Sequence, residues 1–580
     1  MTKELMLGNH AIAVGLYEAG VEVVSSYPGT PSTEITMHCA NFKGSGLQAE
    51  WSPNEKVGLE VAMGASVAGA RAFSGMKHVG LNVAADVLYT ASYTGVNGGL
   101  VIAVADDPGM HSSQNEQDSR NHAIGAKVPM LEPATAAECL EFTKTAFDLS
   151  EEYDTPVLIR LTTRICHSQG IVERGERREI DKGEYVKNTA KYVMMPNFAR
   201  PKHPLVEARM QRLAEYAETC PLNQVEINDK ADFGIITSGA AYQYSKEAFG
   251  DTASYLKLGI INPLPVRLIK DFAAKVKKLY IIEELDPVIE SHCRFIGLDP
   301  IGKSLFGNIG EFSQNYLREK ILGESAVPKH REFPETVPFR PPVLCAGCSH
   351  RNVFYVLGKL GVMVNGDIGC YTLAASPPLS AMDTCICMGM GIGGIHGFVK
   401  GRPDYANKAV GVVGDSTFMH SGINGLINIA YNRSNSVVLI VDNRTTGMTG
   451  HQNHPGNGLD LYGEAAPAVD FELLCKAIGI KKVTTFRPDD MAEIERVFRE
   501  HLDLDEPSVI IARMPCALLK STPKNPPVKA DPDKCTGCKL CMRLGCPAIS
   551  IVDKKAVVER TLCVGCGFCG QLCKFKAFGQ

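Results

Sequence analysis

Across 580 residues the sequence has one tryptophan, no long block of like charge, and no run near the roughly 20 apolar residues that a bilayer-spanning helix needs. Its first ten residues, Met-Thr-Lys-Glu-Leu-Met-Leu-Gly-Asn-His, lack a basic stretch followed by an apolar one, so a cytoplasmic location is expected. Lys and Arg number 60 against 64 Asp and Glu, a net charge of -4. That balance offers no basic face for nucleic acid and favours small-molecule chemistry. Cysteine, in contrast, is plentiful at 20. In a reducing compartment such a number argues for metal thiolates over disulfides, and for sensitivity to oxygen.

Several domains are expected, because single cores stop growing well short of this length. Residues 1–190 alternate apolar runs such as Val21-Glu-Val-Val24, Val101-Ile-Ala-Val-Ala105 and Pro156-Val-Leu-Ile159 with small-residue helical stretches. This is the pattern of a parallel sheet covered by helices on both faces. A polar connector with some helix follows over 191–230. Phe233-Gly-Ile-Ile236, Leu258-Gly-Ile-Ile261 and Leu279-Tyr-Ile-Ile282 read as strands of a smaller α/β domain, 231–335, bounded by the proline-rich stretch from Pro328 to Pro342. Ala409-Val-Gly-Val-Val413 and Ser436-Val-Val-Leu-Ile-Val441 mark a third α/β domain over 336–520. A linker over 521–534, beginning Ser521-Thr-Pro-Lys-Asn-Pro-Pro527, then leads to a small α+β module at 535–580. The fold class is α/β, with several doubly wound parallel-sheet domains and that C-terminal module.

Eight cysteines fall in the module, as Cys535-Thr-Gly-Cys538-Lys-Leu-Cys541 with Cys546-Pro547, and as Cys563-Val-Gly-Cys566-Gly-Phe-Cys569 with Cys573. Iron-sulfur thiolates impose such spacing. A disulfide scaffold and a pair of zinc sites are the other readings, although the third cysteine of each run is unusual for zinc. The module resembles a two-cluster ferredoxin. In that family the fourth cysteine serves the other cluster, which implies one four-iron cluster on Cys535, Cys538, Cys541 and Cys573 and a second on Cys563, Cys566, Cys569 and Cys546. Two departures stand out: Met542 to Gly545 are four residues where three are usual, so one loop should be longer, and Lys574 replaces the customary proline.

In the third domain a strand runs into Gly414-Asp415-Ser416, a helical stretch contains Gly422-Ile-Asn-Gly-Leu-Ile-Asn-Ile-Ala430, and the next strand ends at Asp442-Asn443. A carboxylate at a strand-to-helix turn can hold magnesium while free backbone amides take phosphate. An ordinary turn is the plain alternative. The arrangement resembles the Gly-Asp-Gly to Asn motif of thiamine diphosphate enzymes, with Ser416 in place of the second glycine. The resemblance implies Asp415, Asn443 and the Thr445 carbonyl as Mg2+ ligands. It also implies cofactor contacts from Gly414, Ser416 and, in the loop Gly447-Met-Thr-Gly-His-Gln452, from Gly447 and Met448.

In the first domain Asn54-Glu55 opens a small-residue helix, Val57 to Arg71, similar to the helix whose glutamate activates thiamine by hydrogen bonding its pyrimidine. Glu55 takes that catalytic role by resemblance. Glu60 competes for it, and a mere partner of the helix dipole is the plain alternative.

Cys345-Ala-Gly-Cys348, Cys370 in Gly366-Asp-Ile-Gly-Cys370, and Cys516 in Met514-Pro-Cys516 resemble the ligands of the cluster nearest thiamine in 2-oxoacid:ferredoxin oxidoreductases. Zinc or buried free thiols are the alternatives, and Cys385 or Cys387 could replace one ligand. Cys39, Cys139, Cys166, Cys220, Cys293 and Cys475 are scattered and read as structural. Across essentially the whole chain, the order of units resembles the large α subunits of the indolepyruvate:ferredoxin oxidoreductase family.

That resemblance implies thiamine diphosphate, Mg2+ and three 4Fe-4S clusters. It also implies a separate small β subunit in an αβ or (αβ)2 assembly, and oxidation of aromatic 2-oxoacids with coenzyme A and ferredoxin. Another 2-oxoacid (pyruvate, 2-oxoglutarate or a branched-chain acid), a non-oxidative decarboxylase, and a non-catalytic electron-transfer subunit are the competing functions. Tyr27-Pro-Gly-Thr-Pro-Ser-Thr33 resembles the family's substrate loop, which implies that Thr30 approaches the substrate carboxylate. Pyruvate-using relatives place an arginine after the strand matching Val101 to Ala105. Here that position reads Asp106-Asp-Pro-Gly-Met-His-Ser-Ser-Gln114, so the carboxylate anchor must differ, with Arg120 and Arg164 as candidates by type alone and a surface salt bridge as the other reading of Arg120.

Overall fold

The computed structural model describes residues 2–182, 184–328, 336–338 and 340–579. The expected domain end at 335 and much of the proline-rich boundary lie outside the described residues. The chain divides into two compact units, Met1–Phe333 and Pro334–Gln580. Among the described residues no helix is long and apolar enough to cross a membrane.

The first unit is built on a seven-stranded sheet in the order Ile260–Asn262, Met130–Leu131, Val157–Thr162, Leu100–Asp106, Ala72–Lys77, Val23–Ser26, Gln48–Trp51. All neighbours are parallel except the first pair. The three central strands are buried at every position, as a sheet covered by helices on both faces requires.

The sequence reading takes residues 258–261 as a single strand of a separate smaller domain. In the structure Ala253–Leu258 stays in a four-stranded sheet with Gln224–Glu226, Phe233–Ser238 and Leu279–Ile282, while Ile260–Asn262 crosses to the edge of the large sheet. One core accordingly gathers Leu59, Leu100 and Met130 with Leu256, Ile261 and Ile281. The polar connector contains the helix Lys202–Thr219, which buries Val206, Leu213 and Ala217.

The second unit carries a wholly parallel five-stranded sheet, ordered Met363–Asn365, Ala409–Gly414, Val437–Asp442, Ser508–Arg513, Lys482–Phe486. Alternate residues of its strands feed two cores: Val410, Val412, Leu439 and Ile510 point to one face, and Ala409, Val413, Ile440 and Ile511 to the other. At the C-terminus two short antiparallel pairs, Lys529–Ala530 with Phe578–Gly579 and Ile549–Val552 with Lys555–Val558, enclose a small core of Val528, Leu544, Ile549 and Phe568 with Cys541 and Cys569. The longer loop, Met542 to Gly545, lies on a 3-10 turn, Leu540–Leu544, closed by Gly545 at φ +64. A side chain on Gly545 would meet Pro378 at 2.7 Å.

Helix Met491–Leu502 covers one face of the five-stranded sheet and carries in its last turn the buried His501, whose Nε2 lies 2.8 Å from Thr484 Oγ1. Burial, helped by Lys482, pushes the ring from the ordinary 6.5 to about 4. Between these two values the unfolded chain takes up a proton that the folded chain refuses. The stabilisation is therefore complete above 6.5 and is lost as pH falls toward 4. Thermal melts are expected to show the midpoint falling across that window, with a shallower fall in His501→Gln.

Candidate active site and cysteine cavities

The acidic turn forms where strand Ala409–Gly414 ends and Asp415 opens a helical run continuing through Ile423–Tyr431. Asp415 is buried. Its Oδ1 accepts from the Ser416 N–H at 3.0 Å and its Oδ2 lies 3.1 Å from His454 Nε2. The Gly456 N–H donates to His454 Nδ1 at 3.1 Å, so Nε2 carries the proton and donates to the carboxylate. Burial alone would push the Asp415 carboxyl up, but His454 and the Ser416 N–H outweigh it and hold it below the usual carboxylate range. Neighbouring Asp442 moves the other way, raised by burial and by the Asp415 charge despite Arg513 at 2.6 Å. The fixed negative charge is thus concentrated on Asp415.

The adjacent strand, Val437–Asp442, delivers Asn443 beside this turn. Asn443 Oδ1 accepts from the Thr445 N–H at 3.1 Å and its carbonyl from the Cys516 N–H at 2.9 Å. Thr446 Oγ1 donates to Ser416 Oγ at 2.9 Å, so the serine that departs from the motif ties the two turns together. Gly414 is held by Tyr371, whose hydroxyl accepts the Gly414 N–H at 2.9 Å and donates to the Ile368 carbonyl at 3.0 Å. Met448 is exposed, while a Cβ on Gly447 would meet Cys370 Sγ at 3.4 Å and Asn443 Nδ2 at 3.6 Å. An oxygen-rich set of Asp415, Asn443 and Thr445 suits a hard divalent cation carrying phosphate.

Two groups here escaped the sequence reading. His454 lies 39 residues beyond its carboxylate, with no local signal. Asp367 sits inside a motif read only for its cysteine. It is fully buried, accepts the N–H groups of Ile368, Gly389 and Gly391, and is pushed by burial up to about 6.

Cys345, Cys348, Cys370 and Cys516 are brought together. Burial raises Cys348 to about 12, with Cys345 and Cys370 as further thiol neighbours, and raises Cys370 to about 11, with Cys516 and Cys345. Burial raises Cys516 as well, so these three thiols resist becoming thiolates unless a cationic centre binds them. Cys385 stands instead beside the Asp367 carbonyl, with Sγ at 3.5 Å, and its nearest titratable neighbours are Asp367 and Cys387. The six scattered cysteines are all buried.

The C-terminal cysteines sort around two cavities, one lined by Cys535, Cys538, Cys541 and Cys573 and the other by Cys546, Cys563, Cys566 and Cys569. The Ala556 and Ala577 N–H groups donate to Cys535 and Cys573 Sγ, each at 3.3 Å, the kind of bond that tunes cluster potentials. Among the described residues no three His, Cys, Asp or Glu side chains converge as one metal ion needs. A four-iron cluster does not require such convergence, because each thiolate sits on its own iron.

Arg351 joins the quartet to the second cavity. Its guanidinium donates to the Leu344, Cys345 (3.0 Å) and Leu544 carbonyls, and Cys546, Cys348, Cys345 and Cys566 all lie within its electrostatic reach. Gly347, at φ +71, lets the Cys345–Cys348 turn close on Val564, with which a Cβ would collide, and on Cys566 beside it. Truncation by Arg351→Met is expected to leave three carbonyls unpaired and to destabilise the unit by about 2–4 kcal/mol. Denaturant melts and earlier proteolytic release of the C-terminal segment would register it.

In the first unit, strand Gln48–Trp51 leads into helix Glu55–Val67, capped by Asn54 Oδ1, which accepts the Val57 N–H at 2.9 Å. Glu55 is buried and its carboxyl lies against Gly80, where a Cβ would come within 2.7 Å. Glu60 is exposed and paired with Lys56, which separates the two candidates by environment. Thr30 is half-buried, and its carbonyl accepts from Ser112 Oγ at 3.5 Å. Arg120 and Arg164 are both engaged. Arg120 is buried against Asp118 and Glu283, and Arg164 is exposed and forked onto Glu311 at 2.8 and 2.6 Å.

A family model described as pyruvate flavodoxin/ferredoxin oxidoreductase, thiamine diP-binding, matches residues 14–221. Another, thiamine pyrophosphate enzyme, C-terminal TPP binding domain, matches residues 367–512. Indolepyruvate oxidoreductase subunit IorA of Archaeoglobus fulgidus is 40% identical over 610 residues, spanning 99% of this chain and 97% of the relative. Its counterpart from Methanothermobacter marburgensis is 41% identical over 595 residues, spanning 98% and 96%. The 2-oxoglutarate synthase subunit KorA of Methanothermobacter marburgensis is 24% identical over 49% of this chain and 88% of its own length. A solved 2-oxoglutarate:ferredoxin oxidoreductase from Magnetococcus marinus aligns over 56% of this chain and 65% of its own at TM-score 0.48 and 19% identity. The chain belongs to the indolepyruvate oxidoreductase IorA family, within the thiamine diphosphate-dependent 2-oxoacid:ferredoxin oxidoreductases.

Proposed function

We propose that this 2-oxoacid oxidoreductase acts on aromatic 2-oxoacids. An arylpyruvate, coenzyme A and two oxidised ferredoxins would give an arylacetyl-CoA, carbon dioxide, two reduced ferredoxins and a proton. The aromatic group is suggested by the relatives' names, and the observation that carries the oxidative reading is the single unit holding both the Asp415–Asn443 oxygen set and twelve cysteines in three groups, the first of them beside Asn443. A non-oxidative decarboxylase has no use for those cysteines, and a bare electron carrier has none for the oxygen set.

When bound, thiamine diphosphate supplies the carbanion chemistry and iron-sulfur clusters accept electrons one at a time. Asp415, with Asn443 and the Thr445 carbonyl, holds Mg2+; Gly414, Ser416, Gly447 and Met448 line the cofactor. His454 orients the Asp415 carboxylate. Glu55 hydrogen bonds the pyrimidine and sets its proton. Thr30 lies by the substrate carboxylate. Cys345, Cys348, Cys370 and Cys516 hold the nearer cluster, and the two C-terminal groups hold the outward pair. A small β subunit completes the enzyme, as the relatives' designation as a subunit suggests.

The test is anaerobic dye reduction by indolepyruvate, using the chain copurified with its small partner, with and without coenzyme A, thiamine diphosphate and Mg2+. Coenzyme A-dependent reduction roughly tenfold or more faster than with pyruvate supports the aryl reading. Faster turnover of pyruvate, 2-oxoglutarate or a branched-chain acid would transfer the assignment to that substrate. No reduction by the fully loaded enzyme would refute catalysis.

A further inference from the structure

Strand Ala72–Lys77 lies between strands Leu100–Asp106 and Val23–Ser26 in the large sheet. Its last residue therefore emerges between the turn at 106–113 and the loop at 27–30, at the carboxyl edge where α/β sheets bind ligands. Lys77 is 8% exposed. Its Nζ donates to the Ser112 carbonyl at 2.6 Å, and its Cβ lies against Gly29, next to Thr30. An ammonium has three donors, so this leaves two.

The other buried cations of this edge are matched by carboxylates. Arg160 pairs with Asp106 and Glu132, and Arg120 with Asp118 and Glu283. The acid in electrostatic range of Lys77 is Asp107, whose oxygens already accept from the Ser112 N–H, the Ser113 hydroxyl and the Thr163 hydroxyl. Burying an ammonium whose one hydrogen-bond partner is a carbonyl, with the neighbouring carboxylate engaged elsewhere, is unfavourable until a second anion arrives.

Lys77 also heads helix His78–Thr94, 17 residues long, with no side-chain cap and no acidic residue in its first turn. Such an end attracts anions. The adjoining His78 ring is 1% exposed. It lies near Ala105 and Asn115, yet neither nitrogen makes an aligned hydrogen bond. Two buried polar side chains thus stand under-used at one helix head, beside Thr30 and one turn from the Gly80–Glu55 contact.

We propose that Lys77, at the head of helix His78–Thr94, binds the carboxylate of the 2-oxoacid. This rests on the function proposed above. No bond is made or broken by Lys77: it neutralises the carboxylate while the substrate is seated and is left uncompensated once carbon dioxide departs.

The test measures inhibition of the assembled enzyme by two substrate analogues, indole-3-lactate, which carries the carboxylate, and indole-3-ethanol, which lacks it. Lys77→Met is expected to raise the inhibition constant of the lactate, and the KM for indolepyruvate, by roughly 10- to 100-fold while leaving the ethanol unchanged. Lys77→Arg should recover part of the loss, and Lys77→Gln serves if the methionine variant does not accumulate. Unchanged discrimination between the inhibitors, with bound thiamine diphosphate intact, would overturn the assignment, as would equal weakening of both. A wild-type enzyme that turns over no 2-oxoacid would overturn the function itself, a separate result visible before any variant is made.

Discussion

Replacement of Asp415 by alanine is expected to strip the chain of Mg2+ and thiamine diphosphate and to lower turnover by more than roughly a hundredfold. The reason lies in how the charge is held. A buried carboxyl ordinarily rises toward neutrality, but here the His454 proton and the Ser416 amide keep it ionised, while Asp442 alongside is shifted upward. A cation bound there would therefore meet one anionic oxygen donor, set at a helix start where backbone amides can take phosphate. Asp415→Asn keeps the shape but removes the charge, and should lose the metal as well. His454→Gln acts through the carboxylate and is expected to weaken metal binding by about 10- to 100-fold, without abolishing it. Calorimetric titration with thiamine diphosphate and Mg2+, together with cofactor content after purification, measures all three. Normal cofactor content in Asp415→Ala would show that the acidic turn is not the anchoring site.

How far this site could be read from sequence depends on whether the signal is local. The Asp415 turn is local: a β-branched strand, an acidic residue and a helix occupy consecutive positions, so the sequence predicts the geometry in which they are found. The C-terminal cysteine spacing is local too, and the two cavities sort the eight residues into the sets expected of a two-cluster module. His454, Asp367 and Lys77 were not legible. Each matters through what the fold places against it: a carboxylate 39 residues away, three amides from two segments, or a helix head between two neighbouring strands. The ion pairs of Arg120 and Arg164 were illegible for the same reason, since nothing in sequence shows that Asp118, Glu283 and Glu311 engage them.

Strands followed the same division. Val437–Asp442 and Ala409–Gly414 are runs rich in Val and Ile, buried on both faces, and pattern alone finds them. The break at Gly259 depends on distant partners: an added Cβ there would clash with Leu222, and Ile260 and Asn262 pair with Leu131 and Met130. Antiparallel pairing across so many residues leaves no trace in local periodicity.

Glu55→Gln is expected to keep the fold and the bound cofactor yet lose about 10²- to 10⁴-fold in turnover, the range for removing a positioned acid–base group. The substitution is isosteric, so the packing against Gly80 survives; Glu55→Ala would in addition open a void there. A glutamate that served only the helix dipole would behave differently. Its loss would lower stability by about 0.3–1 kcal/mol and leave the rate of the folded enzyme alone. Glu60→Gln supplies the internal comparison, because Glu60 sits on the same helix, exposed and paired with Lys56, and its replacement is expected to change neither rate nor cofactor content. Pre-steady-state release of carbon dioxide from an arylpyruvate, compared across the three variants with bound thiamine diphosphate measured in each, separates a lost proton transfer from a lost binding contact. Full activity in Glu55→Gln with cofactor bound would return the residue to a capping role and move the search for the activating carboxylate elsewhere.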